Sequence, residues 1–188
     1  MACAAYHTSA RQGSSAAAIS AQRCFLPQGK QTIVDISPEK KFAQEHILIV
    51  EPEFLDVFNI EMLAGANGHN ILRQPYQAIL SESIAEKFYG KENPIGKIFL
   101  YKNKFNITIG GLMKDLPTNT HLPASMLLSF VQEENYLGTG VDGWTYVSGT
   151  STFVVLPKNT DLVVFTSQIN TIADKYINPK APAHLKSY

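Results

Sequence analysis

Hydrophobic and polar residues follow one another along the chain with periods that predict strands in some stretches and a helix in another. Phe105, Ile107 and Ile109 alternate with more polar residues, which is the two-residue period of a strand with one solvated face. Ile47–Val50 is apolar at every position, and such a run predicts a central strand buried on both faces. Asp161–Ile177 carries its apolar residues at helical spacing behind an aspartate that can cap a helix.

The same patterns predict the remaining elements of the fold. Glu53–Phe58 predicts one or two helical turns, whereas Ala66–Asn70 has the composition of a loop after Gly65. Gly110 and Gly111 lie inside one strand and predict a bulge or a close approach of another backbone. Strands and hairpins interrupted by helices predict an α+β fold with mixed or antiparallel sheets, with about six or seven strands and two main helices. The predicted strands outside Ile47–Val50 are Lys30–Ile36, Gln77–Leu80, Ile98–Tyr101, Phe105–Met113, Ala124–Phe130 and Thr150–Leu156.

The stretch Leu80–Lys97, with the sequence LSESIAEKFYGKENPIGK, is the one around which the other predicted elements are organised. Its first part predicts a short helix, because apolar residues recur every four positions from Leu80. Ser81 or Ser83 can cap this helix, and Glu86 follows Ser83 at the spacing of a capping box.

The second part of this stretch predicts a helix stop and a turn. Gly90 occupies the place where a left-handed residue ends a helix, and Pro94 prevents the helix from continuing. Asn93–Gly96 has the composition of a β-turn with proline at its second position and glycine at its fourth. Because a strand follows from Ile98, the whole stretch is predicted to be a rigid helix–turn–strand joint.

Composition and charge narrow the classes of function. The chain has 188 residues, 45% of them hydrophobic, and its 16 basic residues balance its 16 acidic ones. A neutral domain lacks the positive field that nucleic-acid binding requires. No run approaches the roughly 18–20 apolar residues of a membrane helix, so the chain as it stands is expected to be soluble. Residues 1–20 are rich in alanine and serine and are expected to be a poorly specified lead-in or a sequence added for expression.

Motifs for catalysis or ligand binding are weak. Cys3 and Cys24 form neither a disulfide framework nor a metal-site spacing. Gly138–Gly143 matches GxGxxG, but no buried strand precedes it and no helix follows it. No GxSxG elbow or phosphate-binding loop occurs, and Glu133 and Glu134 are typical of a solvated loop. None of the five histidines has metal-site spacing to another ligand: His7, His46, His69, His121 and His184. The residues therefore predict no catalytic, cofactor-binding or metal-binding site, and the chain is not expected to be an enzyme.

Four stretches, in this order, resemble a known family. They are VEPEFLDVFNIEMLAGA, ILSESIAEKFYGKENPIGKIF, ITIGGLMKDLPTNTHLPASMLLSF and TFVVLPKNTD, which begin at Val50, Ile79, Ile107 and Thr152. Together they resemble the periplasmic core domain of MacB-like, FtsX-type ABC transporter permeases, especially those of Bacteroidetes-type bacteria. The second stretch is similar to the family pattern almost residue by residue. In the third stretch the matching residues are Gly111, Lys114, Asp115, Pro117, Asn119 and His121, with Thr120 where the family usually has serine.

The resemblance implies an α+β domain with a porter-like part and a smaller second part. It implies that residues 21–188 form this domain as a fragment of a larger permease, at the outer face of the inner membrane. The parent would pair with a second permease copy, be driven by a cytoplasmic ABC ATPase and contact a periplasmic adaptor or a lipoprotein. The domain would couple ATP-driven movement to export or to the handling of lipoproteins, without a cofactor of its own and without nucleic acid.

Two further readings stay open beside this one. Gln132–Gly149 is a long polar segment with the only tryptophan, Trp144, and a loop of this length in a compact domain is functional or reaches a partner. The chain is then a free-standing periplasmic binding or sensor module whose pocket this segment lines. A hydrolase with an unrecognised site is the third reading.

If the permease reading holds, Gly96→Val and Phe88→Asp are expected to uncouple transport from ATP turnover, because a relay needs stiff elements joined at defined points.

Overall fold

The computed structural model describes residues 20–25, 32–44, 46–117, 119–120, 122–132, 150–172 and 174–175. The strands in these residues are β1 (Ser20–Phe25), β2 (Thr32–Ser37), β3 (Lys40–Gln44), β4 (Ile47–Val50), β5 (Met62–Gly65), β6 (Gln77–Ser81), β7 (Ile98–Tyr101), β8 (Phe105–Met113), β9 (Met126–Ser129) and β10 (Thr150–Val155). The α-helices are α1 (Phe54–Val57), α2 (Gly68–Leu72), α3 (Glu82–Tyr89) and α4 (Leu162–Ile172). None of the helices in this part of the chain is long and apolar enough to cross a bilayer.

One mixed sheet contains all of these strands. Its order is β10-β1-β4-β9-β6-β8-β7-β2-β3, and β5 pairs separately with β8. β4 pairs with β9, and β6 with β8, in parallel, whereas the remaining neighbours are antiparallel. The predicted α+β class with mixed pairing is therefore confirmed. The sheet has more strands than the sequence predicted, because β1, β3 and β5 lack a clean alternation of apolar and polar residues.

The central strands of the sheet are buried on both faces, as predicted for Ile47–Val50. Ile47 and Ile49 face the core beneath α3, and Leu48 and Val50 face the opposite core beneath α1 and α2. All side chains of β4 and β9 are buried, and those of β4 are at most 2% exposed. Since burying one aliphatic side chain contributes about 1.5–3 kcal/mol, these two layers account for much of the stability of the fold.

Helix α2 lies where the sequence predicted a loop. The segment Ala66–Asn70 was expected to be irregular, but a helix begins at Gly68. Oδ1 of Asn67 accepts hydrogen bonds from the amides of His69 and Asn70, at 3.0 and 3.3 Å. The asparagine that favours a loop is thus the N-cap of α2. The apolar residues that follow this asparagine within the helix are buried.

The two glycines inside β8 mark both a bulge and a close approach. The register of β6 against β8 shifts between Ala78 and Ile79, beside Gly110. On the other side of β8, Gly65 has a φ of +103°, and a Cβ built on it would lie 2.4 Å from the carbonyl oxygen of Gly110. Only glycine allows β5 to come this near to β8 in this backbone conformation. The predicted bulge and close approach are therefore both confirmed.

The β7–β8 hairpin closes as predicted at Lys102–Lys104. Lys102 and Asn103 have φ values of +53° and +54°, and the amide of Lys104 donates to the carbonyl of Tyr101 at 3.1 Å. Positive φ at both central positions is the type I′ geometry that matches the twist of the paired strands. The tip of this hairpin is therefore a strained turn whose asparagine is well suited to its conformation.

Helix α4 begins as predicted, but the described residues leave most of its apolar surface uncovered. Oδ1 of Asp161 accepts hydrogen bonds from the amides of Val163 and Val164, at 2.9 and 3.2 Å. Phe165 is partly buried, whereas Leu162 is 64% and Val163 80% exposed. The helix therefore contributes little to the two cores around the central strands.

Substitution of Gly65 tests the close approach of β5 to β8. We expect Gly65→Ala to lower the free energy of unfolding by about 2–5 kcal/mol, the sum of about 1–2 kcal/mol for alanine at positive φ and about 1–3 kcal/mol for overpacking. Gly96→Ala is the matched control, because Gly96 has a φ of +83° but nothing within 4 Å of an added Cβ. Urea unfolding of both variants measures the difference, and equal losses would contradict the steric part of this account.

Candidate functional site: the α3–β7 joint

Helix α3 is capped by a carboxylate from another part of the chain. Ser81 precedes the helix, but its side chain makes no capping hydrogen bond. Oδ1 of Asp115 instead accepts hydrogen bonds from the amide of Ser83 at 3.3 Å and from its hydroxyl at 2.8 Å. Since Ser83 lies inside the helix, the predicted capping box of Ser83 and Glu86 is wrong. Asp115 satisfies an N-terminal amide and places a negative charge at the positive end of the helix dipole.

The protonation of Asp115 reflects these contacts. Partial desolvation raises the pKa of its carboxyl, but hydrogen bonds from the Ser83 and Ser81 hydroxyls and the Ser83 amide outweigh that cost, and the pKa is lowered overall. A carboxyl whose pKa is lowered on folding stabilises the fold at pH values above its unfolded pKa. That contribution disappears as the pH falls through the folded pKa.

The end of α3 has the predicted positive-φ glycine. Gly90 has φ and ψ of +63° and −123°, and its amide donates to the carbonyl of Glu86 at 2.7 Å. This ψ differs from that of a left-handed helical cap. The two angles are those of the first central residue of a type II′ turn. Because an L-residue is strained there, Gly90 fixes the direction in which the chain leaves the helix.

The turn after α3 lies one residue later than predicted. Oδ1 of Asn93 accepts from the amide of Ile95 at 3.0 Å, which forms an Asx-turn over Pro94. The β-turn itself then runs from Pro94 to Lys97, whose amide donates to the carbonyl of Pro94 at 3.0 Å. Gly96 is its third residue, with a φ of +83°, which is the glycine position of a type II turn.

Strand β8 holds this turn at a fixed place. The amide of Gly96 donates to the carbonyl of Ile109 at 2.8 Å, and the amide of Ile109 donates to the carbonyl of Lys97 at 2.9 Å. Asp115, which caps α3, follows β8 by two residues. Both ends of the joint are therefore fastened to β8 and its extension, and Phe88 anchors the helix from below by stacking on Phe42 with ring centroids 4.7 Å apart.

A groove of about 550 Å³ opens between the joint and the β2–β3 turn. Lys97 forms an ion pair with Glu92, and its Nζ lies 4.8 Å from the ring centroid of Tyr89. The hydrogen bond from Lys97 lowers the pKa of Glu92. Burial raises the pKa of Tyr89 to about 12, and its hydroxyl is enclosed without a hydrogen-bond partner among the described residues. This arrangement can hold the turn against the end of α3, but it presents no group with the geometry of a nucleophile and its base.

The four stretches that carry the family resemblance lie next to one another in the fold. Nζ of Lys114 contacts Oε2 of Glu61 at 3.0 Å, which joins the first stretch to the third. The cap of α3 joins the second stretch to the third. The rings of Phe58 and Phe153 meet edge to face with centroids 5.0 Å apart, which joins the first stretch to the fourth. The four stretches thus contact one another through their side chains.

The two histidines that the structure describes, His46 and His69, make separate contacts. Nε2 of His69 lies 2.9 Å from Oδ2 of Asp56 on the surface of α1 and α2, and His46 contributes its carbonyl to the amide of Ser125 at 2.9 Å. Within the described ranges, no group of three or more histidine, cysteine or acidic side chains could hold a metal ion. The segment from 133 to 149, with the GxGxxG match and Trp144, lies outside these ranges, as do His7, His121 and His184.

The contacts of Asp115 could not be found from sequence patterns. A capping signal is local by nature, because it relies on a residue within a few positions of the helix start. Asp115 lies 32 residues from Ser83, so only the fold brings them together. The single hint was the resemblance, in which Lys114 and Asp115 are both matching residues.

Removal of the Asp115 cap tests its contribution to α3. We expect Asp115→Ala to lower the free energy of unfolding near neutral pH by about 0.5–2 kcal/mol, the usual cost of losing a cap. Asp115→Asn keeps an acceptor but not the charge, so its deficit should be smaller, should begin to shrink below about pH 4 and should vanish as the pH falls through the lowered folded pKa of Asp115. Glu86→Ala is the control and should stay within about 0.5 kcal/mol of the original. Denaturant unfolding at several pH values measures all three, and a larger loss for Glu86→Ala would restore the capping box.

Comparison with known proteins shows the family to which this chain belongs. The family model described as MacB-like periplasmic core domain matches residues 9–172. A search of curated proteins found no match.

Solved structures with a similar fold come from transporter proteins. A domain of a protein classed provisionally as a permease, from Porphyromonas gingivalis, is 25% identical with a TM-score of 0.71, over 86% of this chain and 71% of that one. The periplasmic region of MacB from Actinobacillus actinomycetemcomitans is 16% identical with a TM-score of 0.62, over 83% and 66%. The extracellular domain of the noncanonic ABC-type transporter YknZ from Gram-positive bacteria is 18% identical with a TM-score of 0.57, over 83% and 75%. The last two share the fold alone.

The family model covers nearly the whole described chain, including the joint and all of its fastenings to β8. The contacts of the joint therefore all lie within the region that the family model matches. The mixed sheet resembles that of the solved structures. The chain belongs to the family of MacB-like periplasmic core domains, the periplasmic domains of MacB-type ABC transporter permeases.

Proposed function

We propose that this domain couples ATP-driven movement of a permease to export or to lipoprotein handling at the outer face of the inner membrane. The energy enters at a cytoplasmic ABC ATPase and reaches the domain through the parent permease, which works as a pair of copies. A periplasmic adaptor or a lipoprotein is the partner that receives the movement. On this proposal the domain performs no chemistry of its own.

The fastening of the α3–β7 joint is the observation that carries this proposal. A relay transmits displacement only where its elements cannot bend independently. Here the helix start is tied to Asp115, the turn is tied to Ile109, and Phe88 is 2% exposed in the core. A displacement of α3 must therefore be accompanied by β7 and β8, because interior packing does not deform continuously.

Strain at the two ends of β7 tests the relay. Gly96→Val places a β-branched residue at a φ of +83° in the joint, and Asn103→Val places one at a φ of +54° in the hairpin turn at the other end of the strand. Each is expected to cost about 1–2 kcal/mol in folding stability, so the pair is matched in kind. In the full permease, Gly96→Val should reduce export while ATP turnover continues, and Asn103→Val should leave the ratio of export to ATP turnover unchanged.

Two outcomes of this experiment would contradict the proposal. Normal export by the Gly96→Val permease would show that the joint takes no part in the coupling. Equal losses in both variants would show that only folding stability was affected.

Phe88→Asp is unsuitable for the same purpose. It would place a carboxylate in the core beneath α3 and so unfold the domain rather than uncouple it.

A further inference from the structure

The groove between the α3–β7 joint and the β2–β3 turn has two walls. Ile36, Ser37 and Lys40 line the wall on the side of β2 and β3, and Tyr89 and Lys97 belong to the wall on the side of the joint. Its volume of about 550 Å³ lies within the range of about 300–1,000 Å³ that is usual for ligand sites. The groove is therefore large enough for a ligand that contacts both walls.

The charged side chains that line the groove have a net positive charge. Two of them are lysines, Lys40 and Lys97, and one is a glutamate, Glu92, which leaves one positive charge in excess. Glu39 and Lys91, their neighbours in sequence, lie outside the lining, and the charges of these two residues cancel. Since each wall provides one of the two ammonium groups, an anion between the walls would be attracted by both.

Glu92 already supplies a carboxylate to these lysines. Its side chain is 75% exposed, and that of Lys97, with which it forms an ion pair, is 36% exposed. The hydrogen bond from Lys97 is the largest cause of the lowered pKa of Glu92, and the charge of Lys40 lowers that pKa further. Because an exposed ion pair contributes little to stability, another carboxylate can replace that of Glu92 at a small cost.

We propose that the groove binds an extended acidic segment of a periplasmic partner protein, and that a carboxylate of this segment replaces Glu92 between Lys97 and Lys40. Side chains of an extended segment alternate in direction, so apolar residues between the acidic ones contact Ile36 and Ile98 on opposite walls. Ile98 is 56% exposed in the single chain, and this contact therefore covers apolar surface that is now solvated.

The open shape of the groove favours a protein segment over a small molecule. Sites for small molecules usually bury about 70–90% of the ligand, whereas Ser37, Lys40 and Glu92 leave this groove exposed to solvent. A partner protein buries the remaining surface of the segment against itself. The inference rests on the proposed function, because a partner bound beside the joint receives the movement of α3 and β7 directly.

Binding of short peptides to the isolated chain tests the proposal. A fluorescently labelled peptide in which glutamate alternates with leucine should bind, with an anisotropy that approaches saturation below about 1 mM. Replacement of every glutamate in the peptide by glutamine or by lysine should weaken binding by about tenfold or more, because neither side chain complements the two ammonium groups.

Three substitutions in the groove should change the affinity in opposite directions. Lys97→Gln and Lys40→Gln should each weaken binding of the glutamate peptide by about fivefold or more, because each removes one ammonium group. Glu92→Gln should strengthen binding by about threefold, because the competing carboxylate is removed and Lys97 remains. Damage to the fold would weaken binding in every variant, so a gain with Glu92→Gln separates competition from a structural effect.

A second exposed ion pair provides the matched controls. Glu61 and Lys114 lie 3.0 Å apart, at 61% and 60% exposure, and neither lines the groove. Glu61→Gln and Lys114→Gln change the net charge of the chain by the same amounts as Glu92→Gln and Lys97→Gln, and they should leave the affinity unchanged. Circular dichroism checks that each variant is folded, and Lys40→Gln on the other wall replaces Lys97→Gln if the latter unfolds.

The combined pattern of gain and loss decides the inference. Stronger binding to the Glu92→Gln variant, weaker binding to the lysine variants and no change in the controls support it. The inference is overturned if the glutamate peptide does not bind up to about 1 mM, if the glutamine peptide binds equally well, if Glu92→Gln weakens binding, or if the controls change as much as the groove variants.

These measurements are independent of the test of the relay. They do not involve the ATPase, and Gly96, on which the relay test depends, is unchanged in all of them. A chain that binds the peptide while the Gly96→Val permease exports normally would contradict only the proposed function. A chain that does not bind while Gly96→Val uncouples export would contradict only this inference.

Discussion

The fold depends on the burial of its central strands from both sides. β4 and β9 present apolar side chains to two different cores, so helices must cover both faces of the sheet at this place. That requirement fixes α3 on one face and α1 with α2 on the other, and it limits how far any of them can shift.

Local and distant contacts both contribute to the rigidity of the α3–β7 joint. Gly90 and Gly96 set the backbone directions, which is a property of the residues themselves. Their effect on the rest of the domain comes from Ile109 and Asp115, which hold the turn and the helix start to one strand. The rigidity that we assign to the joint therefore belongs to its fastenings as much as to its glycines.

Prediction from the sequence succeeded where the signal was local. The four apolar residues of β4, the alternation in β8, the paired glycines and the aspartate before α4 each have a short-range physical cause, and each was located correctly. β3, β5 and α2 were not predicted, since a few residues without periodicity form strands or helices only when neighbours complete them. The cap at Asp115 follows from a contact between distant segments, which no pattern of spacing contains.

The pairing of β1 with β10 places Ser20 against Val155. Almost the entire described chain lies between these partners, and β1 then connects β10 to the rest of the sheet through β4. A ribosome must therefore deliver nearly all of the domain before its first strand finds its long-range neighbour. Until then the outer edge of β1 has no partner strand, and the sheet is expected to be completed late in synthesis or after passage across the membrane.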